Sequence, residues 1–469
     1  MIRQHYNHPS VILWGSSNEI FLWSGEGRRA REIKNKEYMK GVQKRINILD
    51  SLIHEEDPFR LSGMAIHGGD AYDKAEITDI PDVLAFNQYF GWYGGVFSSL
   101  GRSLDRRHKN HPRENIFISE YGAGNDTRIH GAHPERFDFS GNYARLYHES
   151  HIRQIQERSW LAGTSIWNQF DFSQPHTGGT LQHLNQKGLQ AWDRKPKDTY
   201  YLYKANWNPE PMVYIAKDWD KRYGWEEKDN ITNEMLSDEQ NIVVYSNLDQ
   251  VELFHNGKSA GKKRPNDINK ASWTITLREG NNQIHAIGKE NGREFGDFAN
   301  IDFHHLSLNL ERFQGLGINN GFNAEFLDNS GKIWIPDREY TEKLYGHIDG
   351  EANMIQKDVV ITPTQNRTPI FNYYLEGMDS YHISVPDGIY ELTLYFAEPH
   401  YAMTNRRVFS IEANGKLIVK DMDLAKKYGF AKAVKKTILL SVKEGDGIQL
   451  RFISECGKPI INGINLYRL

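Results

Sequence analysis

The chain of 469 residues has a single cysteine, Cys456, so no intrachain disulfide can brace it and cysteine usage does not identify a compartment. It has no run of 18 apolar residues, which leaves no segment able to span a bilayer as a helix. Charge of one sign is not in excess. Against 57 Lys and Arg stand 61 Asp and Glu, and the net charge of −4 gives neither nucleic acid nor an anionic membrane a reason to bind. No phosphate-binding glycine loop, dinucleotide fingerprint, nucleophilic serine elbow or His-Glu-x-x-His pattern is present. His5 and His8 are closely spaced but lack a cysteine partner, so neither a metal nor a cofactor is expected. The first residues, Met1 to Tyr6, contain no apolar stretch and do not read as a signal peptide.

Aromatic side chains, by contrast, are plentiful: 11 Trp, 24 Tyr and 22 Phe. Such rings cover the flat C–H faces of sugars and equally fill the cores of β proteins, so the count fits both. The most informative stretch is Asn7-His8-Pro9-Ser10-Val11-Ile12-Leu13-Trp14-Gly15-Ser16-Ser17-Asn18-Glu19. Residues 11–14 read as a parallel strand buried on both faces. Gly15, Ser16 and Ser17 then predict a turn that leaves Asn18 and Glu19 past the strand's C-terminal end. Asn115-Ile116-Phe117-Ile118-Ser119-Glu120-Tyr121-Gly122 repeats the design. In a (β/α)8 barrel that end of the strands carries the active site, and glycoside hydrolysis requires two carboxylates facing one pocket.

Strands are expected over residues 11–14, 61–67, 83–89, 116–120 and 164–170. A helix is expected over 34–54, with Val42, Ile46, Leu49 and Ile53 at helical spacing. Alternation of strand and helix is a parallel α/β signature. The prolines of Asn208-Pro209-Glu210-Pro211 mark a boundary. Beyond it the pattern turns to short alternating strands at 241–246, 250–255 and 272–277, with turns at Asn256-Gly257 and Glu279-Gly280-Asn281. A second all-β stretch begins near Leu306. Its clearest element is Pro386-Asp387-Gly388 followed by an alternating strand through Glu398.

The ordered set of motifs resembles glycoside hydrolase family 2, which contains β-galactosidases, β-glucuronidases and β-mannosidases. It comprises His8-Pro9-Ser10 with Asn18-Glu19, Phe86-Asn87-Gln88-Tyr89, Ser119-Glu120-Tyr121-Gly122, Trp167-Asn168-Gln169-Phe170-Asp171 and Lys187-Gly188-Leu189 with Asp193-Arg194-Lys195-Pro196-Lys197. The resemblance is close over residues 1–206. It implies strands four to eight of a catalytic (β/α)8 barrel there, an immunoglobulin-like β-sandwich over 207–305, and a malectin-like carbohydrate-binding domain over 306–469. The family's first three strands and its preceding domains would be absent. Met1 would then be an internal methionine of a longer protein, or the gene is broken. Activity would need a separately encoded N-terminal half or self-association, and a periplasmic or secreted bacterial location is implied.

By the same resemblance Glu19 is the general acid/base and Glu120 the nucleophile. Asn18 bonds the sugar 2-hydroxyl, Tyr89 holds the nucleophile and Trp167 floors the sugar site. Asn185 and Lys187 resemble the pair that binds a uronate carboxylate, where a cation gives a charge-assisted bond. Galactosidase-type relatives carry a similar pair. In the last domain Tyr373, Tyr374 and Tyr401 are candidates to line a sugar pocket. The tail segments taken together favour a retaining exo-β-galactosidase acting on oligo- or polysaccharides. The alternatives are a β-glucuronidase and, in another class, an inactive carbohydrate-binding remnant.

Overall fold

Apolar runs separated by amphipathic helix produce a parallel sheet. In the computed structural model, residues 1–22, 35–175, 179–181, 183–227, 236–309, 313–356, 359–363 and 368–469 are described. Five strands, β1 (Leu13–Asn18), β2 (Leu61–Ile66), β3 (Val83–Asn87), β4 (Ile116–Glu120) and β5 (Gly163–Thr164), lie side by side in chain order. Every neighbouring pair is parallel. They belong to one of two compact units, made of Met1–Ala123 with Tyr147–Gln169. Gly124–Leu146 and Phe170–Leu469 form the other.

The strands fall where expected; β4 has the expected bounds, β2 and β3 end one and two residues early, and β1 and β5 differ more. β1 starts at Leu13 and continues through Gly15, Ser16 and Ser17, where a turn is expected. The small residues instead produce a shift of register against β2 between Gly15 and Ser17. Pairing with β2 outweighs their local preference for a turn. Of the apolar run, only Trp14 is buried. Ile12 is 77% exposed, because it precedes the strand and β1 has one described neighbour. The strand expected at 164–170 shortens to β5. Past Thr164 the chain still bonds β4 and its extension, Ser165 N to Ile118 O at 2.7 Å and Trp167 N to Tyr121 O at 3.0 Å, without a continuous ladder.

Helix α1 (Lys36–Glu56) begins where Asn35 Oδ1 accepts from the amides of Glu37 and Tyr38, which fills two orphan donors of the first turn. The expected first residue, Lys34, lies outside the described residues. Met39, Ile46 and Ile53 form the buried stripe at seven-residue spacing, whereas Leu49 falls off it and is exposed. Asp57 ends the helix and ties it to β1. Its buried carboxylate accepts from Trp14 Nε1 at 2.9 Å, Arg60 Nη1 at 2.6 Å and the amides of Phe59 and Arg60. Truncating Asp57 would strand the Trp14 donor, at a cost of about 1–3 kcal/mol.

In the second unit, residues 213–306 form two facing sheets. β6 (Val213–Ile215), β8 (Glu239–Ser246) and β11 (Lys270–Thr276) make one. The other contains β7 (Lys221–Trp225), β9 (Val251–His255), β10 (Lys258–Lys263), β12 (Gly280–Glu290) and β13 (Arg293–Leu306). Inward residues of both, among them Val244, Leu253, Trp273, Ile284 and Phe303, share one core. Asn256 and Gly257, at φ of 48° and 77°, make the tight turn between β9 and β10. The expected strand after Pro386-Asp387-Gly388 spans Gly388–Phe396, flanked by Val434–Val442 and Gly463–Arg468 in a seven-stranded sheet. Among the described residues, no helix is long and apolar enough to cross a membrane.

Candidate active site

The C-terminal ends of the parallel strands bring the expected residues of the first unit together. Glu19 follows β1 directly in the left-handed region, at φ of 49°, and its amide donates to Ala65 O at 2.9 Å. That conformation is uncommon for a non-glycine residue and is held here by the bond to the neighbouring strand. Glu120 ends β4, whose Ile116 and Ile118 point into the core. A register shift at Phe86/Asn87 sets Glu120 opposite Asn87, and Gln88 N donates to Glu120 O at 2.7 Å.

Asn87, at the end of the fully buried strand β3, links the two strand ends. Its Nδ2 donates to Glu19 Oε1 at 2.8 Å and to Asn18 Oδ1 at 3.0 Å. Its Oδ1 accepts from Ser119 Oγ at 2.6 Å. The sequence motif contains Asn87, yet no role is expected for it from resemblance. The available signal was a polar residue closing an otherwise apolar strand, since a buried amide must find partners. Tyr89 OH donates to Glu120 Oε2 at 2.8 Å. Burial first, then the charge and hydrogen bond of Glu120, hold the Tyr89 phenol far above its usual range, so it stays a donor.

Three further groups sense these carboxylates. Partial desolvation and then the charges of Glu19 and Glu120 push the Tyr93 phenol up, so one ring feels both acids. Its ring meets that of Tyr89 edge-on at 5.1 Å. His67, just past β2, is pulled down by burial and up by Glu19, and its Nδ1 lies 2.9 Å from Tyr72 OH. Burial pushes the Tyr72 phenol up to about 12. Trp167 is half-buried beyond β5. Glu19, Glu120, Asn18, Tyr89 and Trp167 thus all sit at one end of the sheet. Such an arrangement offers one carboxylate accepting a single amide proton and another clamped by a phenol.

Asn185 and Lys187 belong to the second unit. Asn185 lies in a short antiparallel pair, Leu184–Asn185 with Phe172–Ser173. Both side chains are 6% exposed. Asn185 Oδ1 accepts from Lys187 N at 3.1 Å, and its Nδ2 donates to Gln174 Oε1 at 2.8 Å. In the last domain the expectation for Tyr373 and Tyr374 needs correction. Tyr373 is 5% exposed, stacks on Phe322 at 3.8 Å and is a core residue, and Tyr374 is buried as well. Alternation places a tyrosine on a face but does not say whether that face is covered. Tyr401 is 39% exposed, with the Arg407 guanidinium 5.3 Å from its ring centre.

Residues 1–210 match the model for "Glycosyl hydrolases family 2, TIM barrel domain", and residues 315–464 the malectin domain. Residues 238–296 match a domain of unknown function, DUF4982. A β-glucuronidase of Bacteroides fragilis is 35% identical over 295 residues, 61% of this chain and 38% of that one. A β-galactosidase of Bacteroides ovatus is 22% identical over 328 residues, 61% of this chain and 36% of that one. The solved structure of a Bacteroides uniformis β-glucuronidase has a TM-score of 0.88 at 31% identity, over 100% of this chain and 55% of that one. The chain therefore spans 36–55% of the length of these relatives. With Glu19 and Glu120 both inside it, the region of residues 1–210 is a glycoside hydrolase family 2 barrel region, and residues 315–464 are a malectin domain.

Proposed function

We propose that this chain carries the catalytic carboxylates of a retaining exo-β-glycosidase whose substrates are β-glucuronides. The observation that carries the reaction type is the pairing of two strand-end carboxylates with different partners, Asn87 on Glu19 and Tyr89 on Glu120. Glu120 attacks the anomeric carbon while Glu19 passes its proton to the leaving oxygen. The bond to that oxygen breaks, and a covalent glycosyl-enzyme forms. Glu19 then takes a proton from water, which attacks the same carbon and releases Glu120, with net retention. The Asn87 bond occupies Glu19 Oε1 and leaves Oε2 to carry the proton. Asn18 bonds the sugar 2-hydroxyl and Trp167 floors the site.

The sugar reading moves from the expected galactoside to its alternative. Two supports favour the uronide: the β-glucuronidases at 35% and 31% identity against a β-galactosidase at 22%, and the Asn185-x-Lys187 pair with a cation suited to a carboxylate. The domain order is a barrel portion over 1–206, an immunoglobulin-like sandwich over 207–305 and a malectin-like module over 306–469, with Tyr401 the remaining candidate there for sugar contact. The five-stranded sheet is part of a (β/α)8 barrel, closed by strands of a longer form of the chain, a separate polypeptide or a second copy. Nitrophenyl β-glucuronide and β-galactoside, assayed side by side on the protein with its barrel closed, test the specificity. Preferential galactoside turnover would overturn the uronide reading. Undiminished turnover on replacing either carboxylate would overturn the reaction type.

A further inference from the structure

The segment that carries Asn185 and Lys187 is held by a residue of its own unit to which no role has been attached. Lys197 is 1% exposed, and its ammonium group donates to Asn125 O at 2.7 Å, Asp171 Oδ1 at 2.9 Å and Gln186 O at 3.3 Å. An ammonium has three N–H bonds, so the group is saturated. It is also ion-paired with Asp171, itself 5% exposed. A buried pair persists only where such contacts replace the lost water.

Each partner of Lys197 grips the same segment again. Asp171 Oδ1 accepts from Gly188 N at 2.9 Å, and Asn125 N donates to Gln186 O at 2.9 Å. Lys187 therefore sits between two fixed peptide units, Gln186 before it and Gly188 after. Gly188 leaves no slack, since a Cβ there would lie 2.2 Å from Asp171 N and 2.4 Å from Gln190 O. The Asn185 side chain restrains the Lys187 amide from the preceding turn.

We propose that Lys197 is a positioning residue for recognition of the sugar acid. Acting through the Gln186 carbonyl and Asp171, it fixes where Asn185 and Lys187 stand. The inference rests on the β-glucuronide reading above. A lysine in solvent would need no such partners, whereas one buried beside the recognition segment makes that segment rigid. Rigidity matters to a cation that must meet a carboxylate, because a misplacement of about 1 Å can cost about a hundredfold.

The test is the double variant Lys197→Met with Asp171→Asn, which strands no buried charge and keeps an acceptor for Gly188 N. In the active, barrel-complete enzyme, KM for nitrophenyl β-glucuronide should rise about tenfold or more, with kcat within about threefold. Turnover of uncharged aryl glycosides and the cooperativity of thermal unfolding should not change. Unaltered glucuronide KM, in an enzyme where Lys187→Ala raises it, would overturn the positioning role and leave the uronide reading standing. Loss of cooperative folding would also overturn it and make Lys197 a stability residue. If Lys187→Ala itself leaves glucuronide KM unchanged, the uronide reading fails first, and this inference with it.

Discussion

Asn87 Nδ2 donates to Glu19 Oε1 at 2.8 Å, and the direction of that bond is set elsewhere. Ser119 Oγ donates to Asn87 Oδ1, so the amide can only present its NH2 to Glu19 and Asn18. The residue before the Glu120 strand end thereby orients the partner of the other acid. This relay runs from β4 through β3 to the end of β1, entirely within the parallel sheet.

Asn87→Ala should therefore reduce kcat/KM without unfolding the sheet. A hydrogen bond to a charged group is worth about 1.5–3 kcal/mol, which corresponds to a loss of about tenfold to 150-fold. Ser119→Ala should give a smaller loss in the same direction, because the amide can then rotate. Steady-state kinetics with circular dichroism as a folding control measures both. Equal losses from the two variants would contradict the relay.

Tyr89→Phe removes the hydroxyl that donates to Glu120 Oε2 while keeping the ring that meets Tyr93. Turnover should fall by about tenfold to a hundredfold, chiefly in kcat, since the ring contacts survive. A change confined to KM would show that Tyr89 binds sugar rather than holding the acid.

The two acids themselves should separate by leaving group. Glu120→Gln should abolish turnover of every aryl glycoside, because no glycosyl-enzyme can form. Glu19→Ala should slow poor leaving groups most, and azide should rescue its second step as a nucleophile that needs no base. Activity near that of the native protein in Glu120→Gln would sink the nucleophile assignment.

Much of this arrangement was legible in the sequence, for identifiable reasons. Apolar runs ending in Asn18-Glu19 and Ser119-Glu120 located two of the five strands and both acids, because strand ends in a parallel sheet must project past its apolar core. Gly15, Ser16 and Ser17 mislead because a ladder with β2 overrides their turn preference. Leu49 fits the helical period yet is exposed, since the period gives a stripe and not its width. Tyr373 and Tyr401 look alike in sequence, and only the packing of Phe322 over the first separates them. Asn87 and Lys197 were missed because their importance lies in partners 32 and 72 residues away.

The last prediction concerns pH and the β domains. Glu325 is 1% exposed, accepts from Tyr223 OH on β7 at 3.0 Å through Oε1, and has no hydrogen-bond partner for Oε2 among the described residues. Burial is the main cause that raises its carboxyl from an ordinary 4.5 to about 7. Between those values the folded chain keeps the proton and the unfolded chain does not, so the folded state binds more protons and stability falls as pH rises. Below about 4.5 both states are protonated and no penalty applies; above about 7 it is complete, at about 3 kcal/mol. Glu325→Gln retains an acceptor for Tyr223 and cannot ionise. Denaturant unfolding across pH 4–8, as the difference between native and variant curves, isolates this group from Asp138, which burial also raises, to about 6. The variant should gain on the native protein steadily from about pH 4.5 and level off above about pH 7. A flat difference curve would mean that Glu325 is hydrated or paired in solution.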